Sequence, residues 1–239
     1  MKARLVLTLA ILVAGFAKAD FTINYNTTFS GTSPSSTSPY LTAAFADTAL
    51  SNCLAGAVTC VSLTLTSSLE NSSEFVTEWD FNNNTAGLTS LSFKAGATTG
   101  SFGLPTISPY SSNAYQADGD GLYDIMFNFQ QGGGSSNRFD GTLDSIVYYI
   151  GGNVAFTADA FNVLSSPAGG SGPFVSAAHI QGITFGTQTC SGWITQGAGG
   201  NTGSSSCTPV PEPIHSGLFL TGALGGVMFL ARKRLFGQA

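Results

Sequence analysis

The chain has 239 residues, of which only 9% are charged, and its formal net charge at pH 7 is −5. Six of the eight basic residues lie in the first 20 or the last eight positions, which leaves Lys94 and Arg138 for the interior. All 13 acidic residues lie between Asp20 and Glu212, so the interior carries a formal charge of −11. This distribution excludes a nucleic-acid-binding domain, which needs a basic face. It also argues against an ordinary cytosolic enzyme, because charged residues usually make up about 25% of a chain.

The first 20 residues have the order of a secretory signal peptide. Lys2 and Arg4 supply positive charge, and an apolar run follows them. Ala17-Lys18-Ala19 then has the small-x-small pattern of a cleavage site, which predicts cleavage between Ala19 and Asp20. The apolar run is too short for a membrane-spanning helix of about 20 residues. The sequence therefore predicts an exported chain with a signal peptide over 1–19.

The C-terminus carries a second membrane-related pattern. An apolar run over 214–231 is followed directly by Arg232, Lys233 and Arg234. At a rise of about 1.5 Å per residue, this run spans about 27 Å as a helix, close to the hydrocarbon thickness of about 30 Å. The basic cluster stays on the cytoplasmic side by the positive-inside rule, so the preceding domain lies on the opposite side. We therefore expect a transmembrane helix over 214–231.

Val210, Pro211, Glu212 and Pro213 directly precede this apolar run. Pro-Glu-Pro, a short apolar helix, Arg-Lys-Arg and the chain end follow in an order that resembles the PEP-CTERM sorting signal of Gram-negative bacteria, over residues 210–234. The resemblance implies transient anchoring in the inner membrane and processing by an exosortase near the motif. It further implies delivery to the cell surface and its exopolysaccharide matrix, or secretion.

Residues 20–195 are predicted to form one all-β domain. Apolar and polar residues alternate with a period of two in five segments, which is typical of half-buried strands. These segments begin at Phe21, Val61, Phe75, Leu91 and Tyr123, and further apolar runs cover 145–150, 154–157, 161–164 and 180–185. Turn glycines are dense and no crossover helices are visible, which favours an antiparallel, jelly-roll-like β-sandwich. The Ala-rich segment 41–54 fits a short helix or a strand with a loop.

A Gly/Ser-rich stalk is predicted over 196–209, between the domain and the sorting signal. The segment 118–193 also resembles the ectodomains of one recurrent set of PEP-CTERM proteins. The shared features are Asp118–Asp124, Asn137-Arg138-Phe139, Ala160-Phe161-Asn162, Ser176–His179 and Ser191-Gly192-Trp193. This resemblance supports a β-rich domain and implies no particular chemistry.

Four cysteines, Cys53, Cys60, Cys190 and Cys207, are an even number, which in an exported protein indicates disulfides. Three pairings are possible. We favour Cys53 with Cys60 and Cys190 with Cys207, because each pair is local and brackets turn-forming residues. A zinc site would need closer Cys-x₂₋₄-Cys spacing, and a catalytic thiol would need a basic neighbour.

Asp118, Asp120 and Asp124 are the candidate ligands of a calcium ion. Three carboxylates within seven residues, separated by two glycines, supply the oxygen ligands that calcium prefers. The pattern departs from an EF-hand loop, since Leu122 takes the place of the third ligand. The alternative is a turn into a strand, with Asp124 facing solvent. Asp140 and Asp144 would complete the site if their loop packed nearby.

Glu74, Glu78 and Asp80 are the candidates for carboxylate-based hydrolysis of a polysaccharide. On a strand, Glu78 and Asp80 lie roughly 7 Å apart, within the range of about 5–9.5 Å that glycosidases use. These acids face away from the apolar set, however, which favours a solvated face. His179 is the sole histidine available as a general base and is predicted to be structural and partly buried. No nucleophile elbow surrounds any serine.

Six aromatic residues are candidates for stacking on sugars: Trp79, Trp193, Tyr110, Tyr115, Tyr148 and Tyr149. Trp79 belongs to an alternating apolar set and is predicted to be in the core, whereas Trp193 is the more exposed candidate. The leading hypothesis is a non-enzymatic, exported protein of the cell surface or matrix. A calcium-dependent or glycan-binding module of the exopolysaccharide matrix is the first alternative, and a polysaccharide hydrolase is the second.

Overall fold

The structure, a computed structural model, describes residues 20–118, 121–132, 134, 136–141, 143–170, 172–197 and 207. Every described residue belongs to one compact unit. The predicted signal peptide, the Pro-Glu-Pro motif and the predicted helix over 214–231 lie outside the described residues. No helix within the described ranges is long and apolar enough to cross a membrane.

Thirteen strands and two short 3₁₀ turns form the regular structure of the described residues. The strands are β1 (Phe21–Tyr25), β2 (Thr27–Gly31), β3 (Leu41–Asp47), β4 (Cys60–Ser67), β5 (Phe75–Phe81), β6 (Leu91–Thr99), β7 (Thr106–Ile107), β8 (Tyr115–Gln116), β9 (Leu122–Tyr123), β10 (Ile125–Asn128), β11 (Ser145–Gly152), β12 (Ser176–Phe185) and β13 (Gln188–Thr195). The 3₁₀ turns are Leu50–Asn52 and Ala158–Phe161. The Ala-rich segment is therefore a strand followed by a 3₁₀ turn.

The strands pair into two main sheets and one small ribbon. The five-stranded sheet has the order β1-β3-β4-β11-β6, and the six-stranded sheet has the order β2-β13-β12-β5-β10-β7. The strands β8 and β9 pair with each other as a two-stranded ribbon. The pairings within the sheets are antiparallel, which confirms the prediction of an all-β, antiparallel sandwich.

The core between the two sheets is built largely from aromatic rings. Trp79 of the six-stranded sheet is fully buried, and Tyr25 of the five-stranded sheet contacts it edge-on, with ring centroids 5.1 Å apart. Phe45 and Phe81 form a second edge-on pair between the sheets, at 5.6 Å. Such pairs add about 0.5–1.5 kcal/mol to the free energy gained by burying the rings. The prediction that Trp79 is a core residue is confirmed.

A second apolar cluster covers the other face of the six-stranded sheet. Its members are Phe29, Ala117, Tyr123, Ala177 and Trp193, with Tyr115 and Phe174 packed against them. Ala177 and Trp193 alternate along β12 and β13 with Ala178 and Ile194, which belong to the core between the sheets. Because successive strand residues point to opposite faces, the cluster lies on the outward face. The part of the six-stranded sheet around Trp79 and Trp193 is therefore covered on both sides.

The prediction of a solvated acidic face is wrong for Glu74 and Asp80, which are fully buried, while Glu78 is half-buried. Asp80 faces outward on β5, but it lies beside Ala177 under the second cluster. Glu74 precedes β5, where strand alternation no longer applies. Its carboxylate accepts hydrogen bonds from the backbone N–H and hydroxyl of Ser35, at 2.8 and 2.7 Å, and from the hydroxyl of Ser36 at 3.3 Å.

The runs 154–157 and 161–164, predicted as strands, form loops and the 3₁₀ turn instead. Phe156 and Phe161 insert into the core, and their rings contact each other at 5.7 Å. The carboxylate of Asp47 accepts the backbone N–H of Ala158 at 2.8 Å. Apolar runs of only four residues therefore supply single core side chains from a loop, which periodicity does not distinguish from a short strand.

The structure contains both disulfides that the sequence favours. Cys53 is bonded to Cys60 and closes the loop before β4, with Cα atoms 5.7 Å apart. Cys190 of β13 is bonded to Cys207 of the predicted stalk, also with Cα atoms 5.7 Å apart. Closing a loop of about 15 residues stabilises a fold by about 3 kcal/mol in a chain-entropy account. The second bridge thus ties the chain after β13 to the sandwich.

Substituting Glu74→Ala is expected to lower the free energy of unfolding by about 2–4 kcal/mol. The change removes a buried charged acceptor of three hydrogen bonds and leaves the donors of Ser35 and Ser36 without it. Glu70→Ala is the matched control, because Glu70 is exposed and such surface changes usually stay within about 0.5 kcal/mol. Urea unfolding measures both variants. Equal losses in the two would contradict the structural role of Glu74.

Candidate functional site

The structure places two of the candidate calcium ligands in different environments. Asp118 is exposed and has a positive φ of 44°, as in a tight turn, whereas Asp124 is buried. The carboxylate of Asp124 accepts the backbone N–H groups of Asn83 at 2.9 Å and Asn113 at 2.7 Å. The expectation that Asp124 faces solvent in a simple turn is therefore wrong, because its carboxylate joins β10 to two loops. Asp120 lies outside the described residues, so calcium binding stays a prediction.

Asp140 and Asp144 lie away from this loop and do not complete its set of candidate calcium ligands. The backbone of Phe139, next to Asp140, is paired with Val76 near the start of β5, whereas Asp124 donates its backbone N–H to Phe81 at the end of that strand. Five residues along a strand separate these positions by roughly 17 Å. Among the residues that the structure describes, no group of three or more His, Cys, Asp or Glu side chains is arranged to hold a metal ion.

Glu78 and Asp80 occupy alternate positions of β5 and so point to the same face of the sheet. The side-chain oxygens of Asp80 are buried, and no donor among the described residues makes a hydrogen bond to them. Burial, and then the adjacent Glu78 carboxyl, raise the pKa of Asp80 well above its usual range. Burial also raises the pKa of Glu78. Glycosidases need two carboxyl groups that are open to a sugar between them, and the fully buried Asp80 does not meet that need.

His179 and Trp193 form a buried pair beside these carboxyls. Their rings are stacked with centroids 4.7 Å apart, and Nδ1 of His179 lies 2.8 Å from the hydroxyl of Thr77. Burial lowers the pKa of His179 to about 4, so the imidazole is neutral at physiological pH. Trp193 is only 4% exposed, and the prediction that it is the more exposed sugar-stacking candidate is wrong. Both rings belong to the cover of the six-stranded sheet.

Among the four tyrosine candidates, Tyr149 lies on an open sheet surface. Tyr148, its neighbour on β11, points into the core and is buried. Tyr115 packs against the second cluster, and its hydroxyl donates a hydrogen bond to the carbonyl of Pro109. Tyr110 lies in a loop and packs against the core. Tyr149 is half-buried on the outward face of the five-stranded sheet.

The outward face of the five-stranded sheet consists mainly of hydroxyl-bearing side chains. Its residues are Thr22, Asn24, Thr42, Ala44, Ser62, Thr64, Thr66, Ser92, Lys94, Ser145, Val147 and Tyr149. The hydroxyls of Thr66 and Ser145, on adjacent strands, lie 3.2 Å apart. Within the five strands, all of which are described in full, Lys94 is the one charged residue on this face. A domain with a large acidic excess thus presents one sheet face whose five strands carry no outward carboxylate.

A groove of about 200 Å³ opens at one end of this face. It is lined by Ala55, Gly56 and Ala57 on one side and by Ser90, Leu91, Ser92, Gly151, Gly152 and Asn153 on the other. Gly151 faces the loop between the bonded Cys53 and Cys60, because an added Cβ would lie only 2.6 Å from the Cβ of Ala57. The groove is smaller than the 300–1,000 Å³ or so of pockets for drug-sized ligands, which fits a single ring.

Tyr149 lies beside this groove and leans across β6. A Cβ at Gly96 would come within 2.8 Å of Cε2 of Tyr149, so a glycine there makes room for the ring. The ammonium of Lys94 is 6.0 Å from the ring centroid and donates a hydrogen bond to the carbonyl of Asn52 at 2.8 Å. Tyr149 and Gly151 occupy alternate positions of the same strand face, about 7 Å apart.

The groove residues are not among the sequence-predicted site residues. Gly151-Gly152 has the composition of a turn, yet both residues belong to β11. A glycine pair that ends an alternating strand also indicates a close approach of another segment, and this signal points to the groove. The loop of Ala55 to Ala57 gives no comparable signal.

Comparisons with known proteins add little to this geometry. No protein-family model and no curated protein matches the chain. A solved structure of a family 3b carbohydrate-binding module from a scaffoldin of the Bacteroides cellulosolvens cellulosome is similar, with 10% sequence identity and a TM-score of 0.29. The alignment covers 58% of this chain and 89% of that module. A similarity at this level carries no argument about the ligand of this chain.

Asp80→Asn is expected to stabilise the protein at alkaline pH more than at acidic pH. Because the pKa of Asp80 is raised by folding, its contribution is fully favourable below its unfolded pKa and is lost as the pH rises through its folded pKa. Asparagine does not ionise, so the Asp80→Asn variant does not lose this stability as the pH rises. Thermal unfolding from pH 4 to pH 9 measures the difference in Tm, with about 2–4 °C expected for each kcal/mol gained.

The matched control for this prediction is Asp159→Asn, since Asp159 is an exposed aspartate of the 3₁₀ turn. A Tm difference for Asp80→Asn that stayed constant from pH 4 to pH 9 would contradict a buried Asp80 whose pKa is raised by folding.

Proposed function

We propose that this chain is an exported, non-enzymatic protein of the cell surface or extracellular matrix, delivered through its C-terminal sorting signal. The observation that carries the proposal is the order of Pro211-Glu212-Pro213, an apolar run and Arg232-Lys233-Arg234 at the chain end. The two disulfides of the sandwich support it, because disulfides persist in oxidising compartments outside the cytosol. An exosortase is the proposed processing partner, and the inner membrane is the proposed site of transient anchoring.

The arrangement of the titratable groups supports a non-enzymatic role. Asp80 is fully buried under the second cluster, which leaves no access for a sugar between it and Glu78. His179 is buried, and its Nδ1 pairs with Thr77. The side chains that the sequence offers for hydrolysis therefore serve the packing of the six-stranded sheet.

Glycan binding is the second candidate function, and the open face of the five-stranded sheet favours it. This face combines hydroxyl groups, one flat tyrosine ring and an adjoining groove. Hydroxyl side chains both donate and accept hydrogen bonds, as sugar hydroxyls do. In the matrix of a Gram-negative bacterium, exopolysaccharide would be the natural ligand of such a surface.

The sorting proposal predicts where the mature chain begins and ends. Intact-mass analysis of the protein released by the producing bacterium is expected to show a chain that starts at Asp20 and lacks 214–239. Replacing Pro211, Glu212 and Pro213 by alanine is expected to leave the full tail on a protein that stays in the membrane fraction. Pro209→Ala, just outside the motif, is the control and is expected to behave as the wild type. Exported wild-type protein that retains 214–239 would contradict the proposal.

A further inference from the structure

The two sheets differ in how much of their outward surface is open to a ligand. The six-stranded sheet has the core on one face and the second cluster over part of the other, so the side chains around Trp79 and Trp193 are enclosed. The outward face of the five-stranded sheet instead carries half-buried and exposed polar residues across all five strands. At about 4.8 Å per strand, this face is about 19 Å wide between the edge strands. It is an extended, flat and hydrophilic surface.

The charge of this face differs from that of the rest of the domain. The interior of the chain carries 13 acidic and two basic residues, yet within the five strands no acidic side chain faces outward. Asp47, exposed at the end of β3, has the inward orientation of its strand partner Val61 and accepts a hydrogen bond from Ala158. The exposed Asp20 directly precedes β1, at the edge of the sheet far from β11. An acidic polymer would be repelled by the net negative field of the domain, whereas a neutral polymer would not.

Tyr149 and the groove lie in line along β11 and β6. From Val147, the face continues through Tyr149 and Lys94 to Ser92 and Gly151, where the groove begins. We call these five residues the Tyr149 track. The hydrogen bond from Lys94 to the carbonyl of Asn52 joins the track to the loop that forms the far wall of the groove. The Cys53–Cys60 disulfide closes that loop, so the wall is held in place before any ligand binds, which lowers the cost of binding.

We propose that the Tyr149 track binds a neutral polysaccharide with a linear backbone, with one backbone sugar on Tyr149 and the next in the groove. The inference deepens the glycan-binding candidate and rests on it. A sugar ring presents apolar C–H groups on its faces and hydroxyls at its edges. The tyrosine ring packs against the apolar face of the sugar, and Ser92, Lys94 and the neighbouring hydroxyls form hydrogen bonds with the hydroxyls at its edge. The spacing of about 7 Å from Tyr149 to Gly151 allows consecutive rings to occupy both places.

Binding of the full ectodomain, residues 20–209, to named polysaccharides tests this proposal. The probes are xyloglucan, which is neutral, and alginate, which is acidic, in affinity gel electrophoresis and calorimetric titration. The wild type is expected to bind xyloglucan, with an affinity that does not change when the ionic strength is raised, and to bind alginate at least tenfold more weakly. Preference for alginate, or loss of xyloglucan binding at high salt, would overturn the neutral ligand class.

Substitutions at Tyr149 and in the groove test where the polysaccharide binds. Tyr149→Ala is expected to weaken xyloglucan binding at least tenfold, while Tyr149→Phe stays within about twofold because the ring remains. Ser90→Trp, at an exposed residue of the groove wall, is expected to block the groove and weaken binding similarly without affecting the fold. Tyr110→Ala, a partly exposed tyrosine away from this face, is the matched control. Circular dichroism confirms that each variant is folded.

These experiments distinguish a failure of the proposed binding site from a failure of the proposed glycan-binding function. If the wild type binds xyloglucan and both Tyr149→Ala and Ser90→Trp bind it equally well, the Tyr149 track is wrong and glycan binding stands. If the wild type binds neither xyloglucan, alginate nor the producing bacterium's own exopolysaccharide, the glycan-binding function fails and the track fails with it.

Discussion

The six-stranded sheet is covered on both faces around Trp79 and Trp193, and most other features of the domain depend on this. A polar group enclosed there loses its contact with water and needs a partner within the protein. Nδ1 of His179 meets this need by pairing with Thr77, and the imidazole stays neutral. Burial raises the pKa of Asp80, which favours its uncharged form. The double covering also removes Trp193 from solvent. The open surface therefore lies on the other sheet.

The sequence was sufficient for the fold class because period-two alternation survives in strands such as β1 and β10. It was not sufficient for the acidic side of β5. Alternation shows that Asp80 faces away from Trp79, but it does not show that a second layer covers that face. The covering residues, among them Tyr123 and Phe174, come from two-residue strands and loops that carry no periodic signal. The same missing layer explains why Trp193 was expected to be exposed.

The open face of the five-stranded sheet could not be predicted, because its members come from strands far apart in the chain. Thr42, Thr66 and Ser145 become neighbours only through strand pairing. Each is an ordinary half-buried polar residue in its own strand, and the lack of carboxylates emerges only when five strands are aligned. The pairing of the cysteines was accessible because both partners are local. The five strands place one cation, Lys94, and no carboxylate on this face, which is the basis for the proposed binding of a neutral polymer.

Hydroxyl-radical footprinting measures the central claim directly, because it compares the solvent exposure of Tyr149 with that of Trp193 in one sample. In the free protein, Tyr149 is expected to be oxidised and Trp193 to be protected by the second cluster. With xyloglucan bound, the oxidation of Tyr149 is expected to fall, while that of Tyr110 stays the same. Oxidation of Trp193 at the rate of Tyr149, or an unchanged rate at Tyr149 with saturating polysaccharide, would contradict the account.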